Sequence, residues 1–218
     1  SKIIPGMTSI IIPTFNNQDI FLHCLRSVLS FTDSNIEIHV VLNGGPYDIQ
    51  LDSPDVYWHQ APTNLGWIGG INFVKDKVRG EYVLLLNDDT QILDFDNRWL
   101  ERLKFTLNSV QFDNKFASYL DNGVGAVGPI SNGVSGSQSL GYSREVPYKQ
   151  YSTPLLIGFC LLSKKEILDK VGWLDDTLAG GDDLDLSFRL IDNGYKLAVS
   201  RDVFVYHRYA STGRRLFG

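Results

Sequence analysis

The chain has 218 residues, a formal net charge of −5, and 43% hydrophobic against 21% charged residues. This balance belongs to a folded globular chain and excludes disordered and collagen-like classes. With no block of Lys or Arg to neutralise phosphates, it also argues against a nucleic-acid partner, while a compact acidic site suits a divalent cation.

Thr8 to Pro13 is a short β-branched run stopped by proline, the profile of a buried parallel strand. Asn16 and Asn17 can cap the following helix, on which Phe21, Leu22, Leu25, Val28 and Leu29 recur at helical spacing. Ile36 to Leu42 predicts a second strand, broken by Asn43-Gly44-Gly45-Pro46, and Val56 to His59 a third. Asn64 to Gly70 reads as a glycine-punctuated loop leading into a helix through Phe73, Val74 and Val78. Tyr82 to Leu86 is a fully apolar strand ended by Asn87-Asp88-Asp89, and Trp99, Leu100, Leu103 and Leu107 mark a helix.

The Gly-, Ser- and Asn-rich stretch 123–150, which carries Tyr142 and Tyr148, predicts a long surface loop. Leu155 to Leu162 predicts a strand and Lys164 to Val171 a helix. Asp182 or Asp183 opens another helix, with Leu184, Phe188 and Ile191 on one face and Gly194 closing it. Val203 to Tyr206 predicts a last short strand before a basic tail. The alternation implies an α/β fold, a mostly parallel sheet flanked by helices in a single domain over 1–218.

Cys24 and Cys160 sit in apolar segments and read as buried free thiols, too few for a zinc cage. No apolar run has the length of a membrane span, and the start lacks a basic-then-apolar secretion signal. A cytoplasmic placement is expected, peripheral at a membrane only through the partner acted upon. Ser1 to Gly6 precede the only methionine, Met7, which suggests a domain excised from a longer polypeptide.

Three motifs carry chemistry. Asn87-Asp88-Asp89 follows a buried strand, and in open α/β sheets the ligand crevice lies outside such strand ends. Adjacent carboxylates there repel one another unless a cation joins them, and hard oxygen ligands favour Mg²⁺ or Mn²⁺. The bland alternative is an acidic turn. Gly180-Gly181-Asp182-Asp183-Leu184-Asp185 puts three carboxylates at a helix start, more than capping requires; one can cap, one can hold a neighbour and one can face the crevice as a base. His207 after Val203-Phe204-Val205-Tyr206 is the third, while His23, His39 and His59 read as structural.

In this order the motifs resemble glycosyltransferases of the GT-A fold, in the large inverting family 2. The resemblance runs from Ser9 to about Tyr209 and rests on five segments, which are 10–16, 40–45, 64–72, 80–89 and 158–195. It implies that Pro13, Thr14 and Asn16 neighbour the ribose and base of a nucleotide. Asn43 stands where the family usually has Asp, and it can accept the same base hydrogen bond without charge assistance. Asn64, Gly66 and Gly70 would let the backbone approach the nucleotide. An Arg common after that loop is missing from Gly69-Gly70-Ile71-Asn72, so metal must neutralise more of the diphosphate.

The family's Asp-x-Asp motif becomes Asn87-Asp88-Asp89, which puts Asp89 on the metal and Asp88 near the ribose or sugar, with Asn87 able to bond a hydroxyl. His207 matches a metal-binding His after the last strand. Asp182-Asp183 matches the acidic pair that supplies the base, with Asp183 as base and Asp182 supporting it or facing the acceptor. The implied activity is transfer of a sugar from a UDP- or dTDP-sugar, with Mn²⁺ or Mg²⁺, to a hydroxyl of a glycan, glycolipid or glycoprotein. Trp67, Gly158 and Phe159 would line the sugar pocket. Two alternatives stand beside it: a non-catalytic nucleotide-sugar or glycan-binding domain, and a sugar nucleotidyltransferase, which needs a Gly-rich basic triphosphate loop that Pro13-Thr14-Phe15-Asn16-Asn17 does not provide.

Overall fold

The computed structural model describes residues 2–109, 122–145 and 149–208. Its first strand, β1 (Ile4–Phe15), runs past its apolar core in both directions, with Gly6 at a left-handed φ of 73° where the register against the neighbouring strand shifts between Ile4 and Thr8. It lies between β2 (Ile36–Asn43) and β4 (Gly80–Leu86), parallel to both, and β3 (Val56–Gln60) pairs parallel with β2. Beyond β4 come β8 (Cys160–Lys164), β6 (Val124–Ile130), β9 (Lys196–Phe204) and β7 (Gln150–Thr153), giving the order β3-β2-β1-β4-β8-β6-β9-β7. Only β8 and β7 run against the rest, so the expected mostly parallel α/β sheet is what forms.

Successive β1 side chains serve opposite faces, as a pleated strand requires. Ile10 and Ile12 pack with Phe21, Leu25 and Val28 of α1 (Gln18–Ser30) and with Trp99, Leu100 and Leu103 of α3 (Trp99–Leu107). Ile11 packs on the other face, in a cluster that holds Ile71 and Val74 of α2 (Gly66–Val74), Ile167 and Leu168 of α5 (Lys165–Val171), and Leu186 and Leu190 of α6 (Asp182–Asp192). Truncating so buried an isoleucine to alanine costs about 2–5 kcal/mol.

Several local expectations are corrected. The stretch 123–150 is not simply a surface loop, since β6 is a buried central strand and a 3₁₀ turn (Gly136–Gln138) and α4 (Leu140–Glu145) follow it. Its glycines serve close packing: a Cβ at Gly125 would stand 2.6 Å from Tyr195 Cβ. Tyr148 lies outside the described residues. Of Leu155 to Leu162, only the end from Cys160 is strand. The glycines of 64–70 fall largely within the first turns of α2 rather than in a loop. On α6 the inward residues are Leu186, Ser187 and Leu190, while Leu184 and Phe188 are exposed, so the core-facing stripe lies on a different side from the one the pattern suggested. Cys24 and Cys160 are buried free thiols, as expected.

Candidate functional site

The carboxyl ends of β1, β2 and β4 open on a cavity of about 490 Å³. Pro13, Thr14, Asn43, Asn64 and Gly66 line one part of it, and Asn87, Asp88, Asp89 and His207 another. Asp182 and Asp183 close it from the start of α6, beside Trp67, Gly158 and Phe159. Of the sequence-predicted site residues, Asn16 and Gly70 are not in the lining. A wider hollow of about 960 Å³ beside Gly6, Tyr82 and Lys104 is bordered by Ser109, beyond which the chain is not described.

Asp89 and His207 are joined by a two-stranded ribbon. β5 (Thr90–Gln91) pairs antiparallel with β10 (Tyr206–His207), and Arg208 N–H donates to the Asp89 carbonyl at 2.9 Å. His207 Nε2 lies 3.0 Å from Asp89 Oδ1. Its Nδ1 is 3.1 Å from the Gly133 carbonyl, and its ring stacks on Phe159 at 5.2 Å between centroids. A carbonyl acceptor at Nδ1 fixes the tautomer that leaves Nε2 for the cavity. Asn132 grips the His207 main chain both ways, donating to its carbonyl at 3.0 Å and accepting its N–H at 2.9 Å. Asn132 and Gly133 escaped the sequence reading, because a Ser-Asn-Gly run shows only turn character.

Asp88 is buried and accepts the Thr14 hydroxyl at 2.8 Å. Burial pushes its carboxyl up; the Thr14 bond opposes this and the neighbouring Asp89 charge adds to it, leaving it at about 7. Beneath this turn the buried Cys24 thiol lies 3.6 Å from the Asn87 carbonyl, and burial pushes it up to about 12.

Asn43 is buried and works in both directions, accepting Leu65 N–H at 3.1 Å and donating to the Gly66 carbonyl at 3.1 Å. It thereby fixes the start of α2, while Asn64 Oδ1 takes Gly66 N–H at 3.0 Å. Gly70 allows α2 to press on the sheet, since a Cβ there would lie 2.9 Å from Pro13 Cβ. Asn16 adopts a left-handed φ of 49° and donates its N–H to the Tyr47 hydroxyl at 3.2 Å. Tyr47 in turn donates to the Asn43 carbonyl at 2.7 Å, tying the loops after β1 and β2 together, a role its sequence context did not reveal.

None of the three acids at α6 caps it; the N-cap is Gly181, with φ 73°. Asp185 binds Arg189, which also donates to the Val171 and Trp173 carbonyls, so this carboxylate holds a neighbouring segment. The other two face the cavity. Asp182 Oδ2 accepts the Trp67 indole N–H at 3.0 Å, and burial, reinforced by the Asp183 charge, raises its carboxyl above the ordinary range. Asp183 Oδ2 accepts Gly158 N–H at 3.2 Å and Oδ1 accepts Leu184 N–H at 2.9 Å.

Four carboxylates therefore face one cavity whose described lining holds no Lys or Arg. Among the described residues no three metal-ligating side chains converge, so the protein offers Asp89 and His207 as a pair of oxygen and nitrogen donors. That fits Mn²⁺ or Mg²⁺, which are held by one or two protein groups together with phosphates and water.

The family model described as "Glycosyl transferase family 2" matches residues 9–172. Solved structures share the fold. The mannosyltransferase PcManGT from Pyrobaculum calidifontis, in complex with GDP-Man and Mn²⁺, superposes with TM-score 0.67 at 18% identity, covering 96% of this chain and 59% of that one. GalNAc-T7 with UDP, GalNAc and Mn²⁺ gives 0.71 at 14% identity, covering 92% and 43%. TarS 1–349 of S. aureus gives 0.61 at 18% identity, covering 92% and 60%. The chain thus spans about two-fifths to three-fifths of these proteins. No curated protein matches it.

Proposed function

The chain belongs to glycosyl transferase family 2, and on that premise we propose that it is a metal-dependent, inverting enzyme. It moves a sugar from a UDP- or dTDP-sugar to a hydroxyl of a glycan, glycolipid or glycoprotein. The observation that carries this reading is the meeting of two pairs, Asp89 with His207 and Asp182 with Asp183, on one cavity at the strand ends. Asp182, Asp183 and His207 lie beyond the residues matched by the family model, so convergence in space supports their roles.

In this reading Pro13 and Thr14 neighbour the ribose and base, with Asn43 beside the base and Asn64 and Gly66 allowing the backbone close to the nucleotide, while Asn16 and Gly70, outside the lining, shape the site from behind through Tyr47 and Pro13. Asn87 and Asp88 take ribose or sugar hydroxyls, and Asp89 and His207 hold the cation. When bound, Mn²⁺ or Mg²⁺ neutralises the charge that grows on the departing diphosphate. Asp183 accepts the proton of the acceptor hydroxyl as its oxygen bonds to the anomeric carbon. The bond from that carbon to the diphosphate oxygen breaks on the opposite side, inverting the centre. Two of the structural neighbours contain Mn²⁺ with a nucleotide or nucleotide sugar, which supports the metal.

The test is a thermal-shift screen of UDP-, dTDP- and GDP-sugars with and without Mn²⁺, followed by donor hydrolysis on the stabilising compound. A uridine or thymidine sugar is expected to raise Tm only with metal. Stabilisation by none of them would overturn the reading.

A further inference from the structure

Trp67 and Asp182 stand in the first turns of different helices, α2 and α6, and both line the cavity. The 3.0 Å bond from the Trp67 indole N–H to Asp182 Oδ2 therefore joins the helix that carries Gly66 to the helix that carries the acidic pair. An indole can donate but not accept, so its natural partner here is a carboxylate, and a charged acceptor strengthens the bond. A second tie holds the same two regions, since Asn72 Nδ2 donates to the Leu174 carbonyl at 2.7 Å in the segment leading to α6. Asp183 is held differently, by the main-chain N–H groups of Gly158 and Leu184. The two adjacent acids are thus fixed by separate devices, one of which reaches across the cavity.

We propose that Trp67 is a positioning residue for sugar transfer, holding Asp182 so that it orients the attacking hydroxyl while Asp183 receives the proton. This rests on the glycosyltransferase reading above and adds a division of labour between the two acids. Asp182 then acts as a hydrogen-bond acceptor for the nucleophile, and Trp67 acts only through Asp182.

The bond itself can be tested without turnover. In ¹⁵N-tryptophan-labelled protein, Trp67→Phe identifies which of the four indole N–H resonances belongs to Trp67. That resonance is expected to move with pH as Asp182 titrates, to lose the movement in Asp182→Ala, to shift partway back in Asp182→Asn, and to persist in Asp183→Asn. A resonance indifferent to Asp182→Ala overturns the proposal, whatever the activity. For the role, hydrolysis of the stabilising donor is measured with water as acceptor. Trp67→Phe, which keeps the ring and removes the N–H, is expected to lower kcat about tenfold with donor KM within about twofold, the scale of one charge-assisted hydrogen bond. Trp67→Phe with Asp182→Asn should lose no more than Asp182→Asn alone, because Trp67 acts through Asp182. Additive losses, or a change in donor KM alone, would sink the positioning role. If the wild type binds and hydrolyses no nucleotide sugar while the indole still follows Asp182, the enzymatic reading fails together with the role assigned to the bond.

Discussion

His207 Nε2 lies 3.0 Å from Asp89 Oδ1, although one residue follows the fourth strand and the other stands near the end of the chain. The contact is made by main-chain pairing, since Thr90 lies opposite His207 in the β5–β10 ribbon. A cation held by this pair would tie the turn after β4 to the segment after β9.

Asp89→Ala is therefore expected to abolish the metal-dependent part of nucleotide stabilisation, and His207→Ala to reduce it. At a nucleotide concentration about 100 times Kd the wild type should gain about 2.7 kcal/mol, or roughly 5–10 °C in Tm for a chain of this size. Thermal melts with UDP, with and without Mn²⁺, check this. An unchanged shift in Asp89→Ala removes that residue from the cation.

Asp183→Asn should separate binding from chemistry. The amide keeps its one oxygen for Gly158 N–H and gives up the bond from Leu184 N–H, which leaves the metal pair untouched, so the metal-dependent melting shift persists. Hydrolysis and transfer fall by about 10²–10⁴-fold with the loss of the base. Turnover near the wild-type rate would assign the proton to another group.

Asn43→Asp looks conservative, and it restores the residue more usual in the resembled family. Here it removes the donor to the Gly66 carbonyl and sets a carboxylate against that oxygen. A loss of about 1–3 kcal/mol is expected, roughly 2–12 °C in Tm. Urea and thermal unfolding of the variant without nucleotide check it, and unchanged stability would show that the clamp at the start of α2 contributes little.

Acid should weaken the fold through a network remote from the cavity. Buried Glu37 faces His39, Ser9 and Arg79, and His39 Nδ1 lies 2.9 Å from His59 Nε2. Burial alone would raise the Glu37 carboxyl, but hydrogen bonds from His39, Ser9 and Arg79 outweigh it and bring it from 4.5 to about 2. Burial, then the His39 and Lys77 charges, lower His59 from 6.5 to about 4. Both folded values lie below the unfolded ones, so the unfolded chain binds protons first on acidification. The contribution of these groups is complete above about pH 6.5, falls through His59 to about 4, and falls further through Glu37 between about 4.5 and 2. Asp88, raised from 3.8 to about 7, works the other way over part of this window, so the network is read by difference: from pH 7 to pH 3 the urea midpoint of the wild type should fall relative to that of His59→Gln.

Much of the fold was legible locally. A buried strand such as Tyr82 to Leu86 must be apolar throughout, and Asn87-Asp88-Asp89 turns the chain after it, so local sequence places the carboxylates at that strand's end while the cavity there belongs to the tertiary structure. The pattern failed where small residues meant packing rather than turning, as in β6, whose Gly125 lies against Tyr195. It failed again on α6, where Leu184 and Phe188 recur at helical spacing yet face solvent. Periodicity reports a stripe, not which neighbour covers it.

The sequence by itself determined the alternation of strands and helices, the acidic turn after a core strand and the acids at a helix start, because each follows from the hydrogen-bonding and burial needs of a few adjacent residues. Only the tertiary structure decided that His207 reaches Asp89, that Trp67 reaches Asp182, and that Asn43 holds Leu65 and Gly66. Those contacts join residues distant in the chain, and they exist only once the sheet order and the β5–β10 ribbon have brought the segments together.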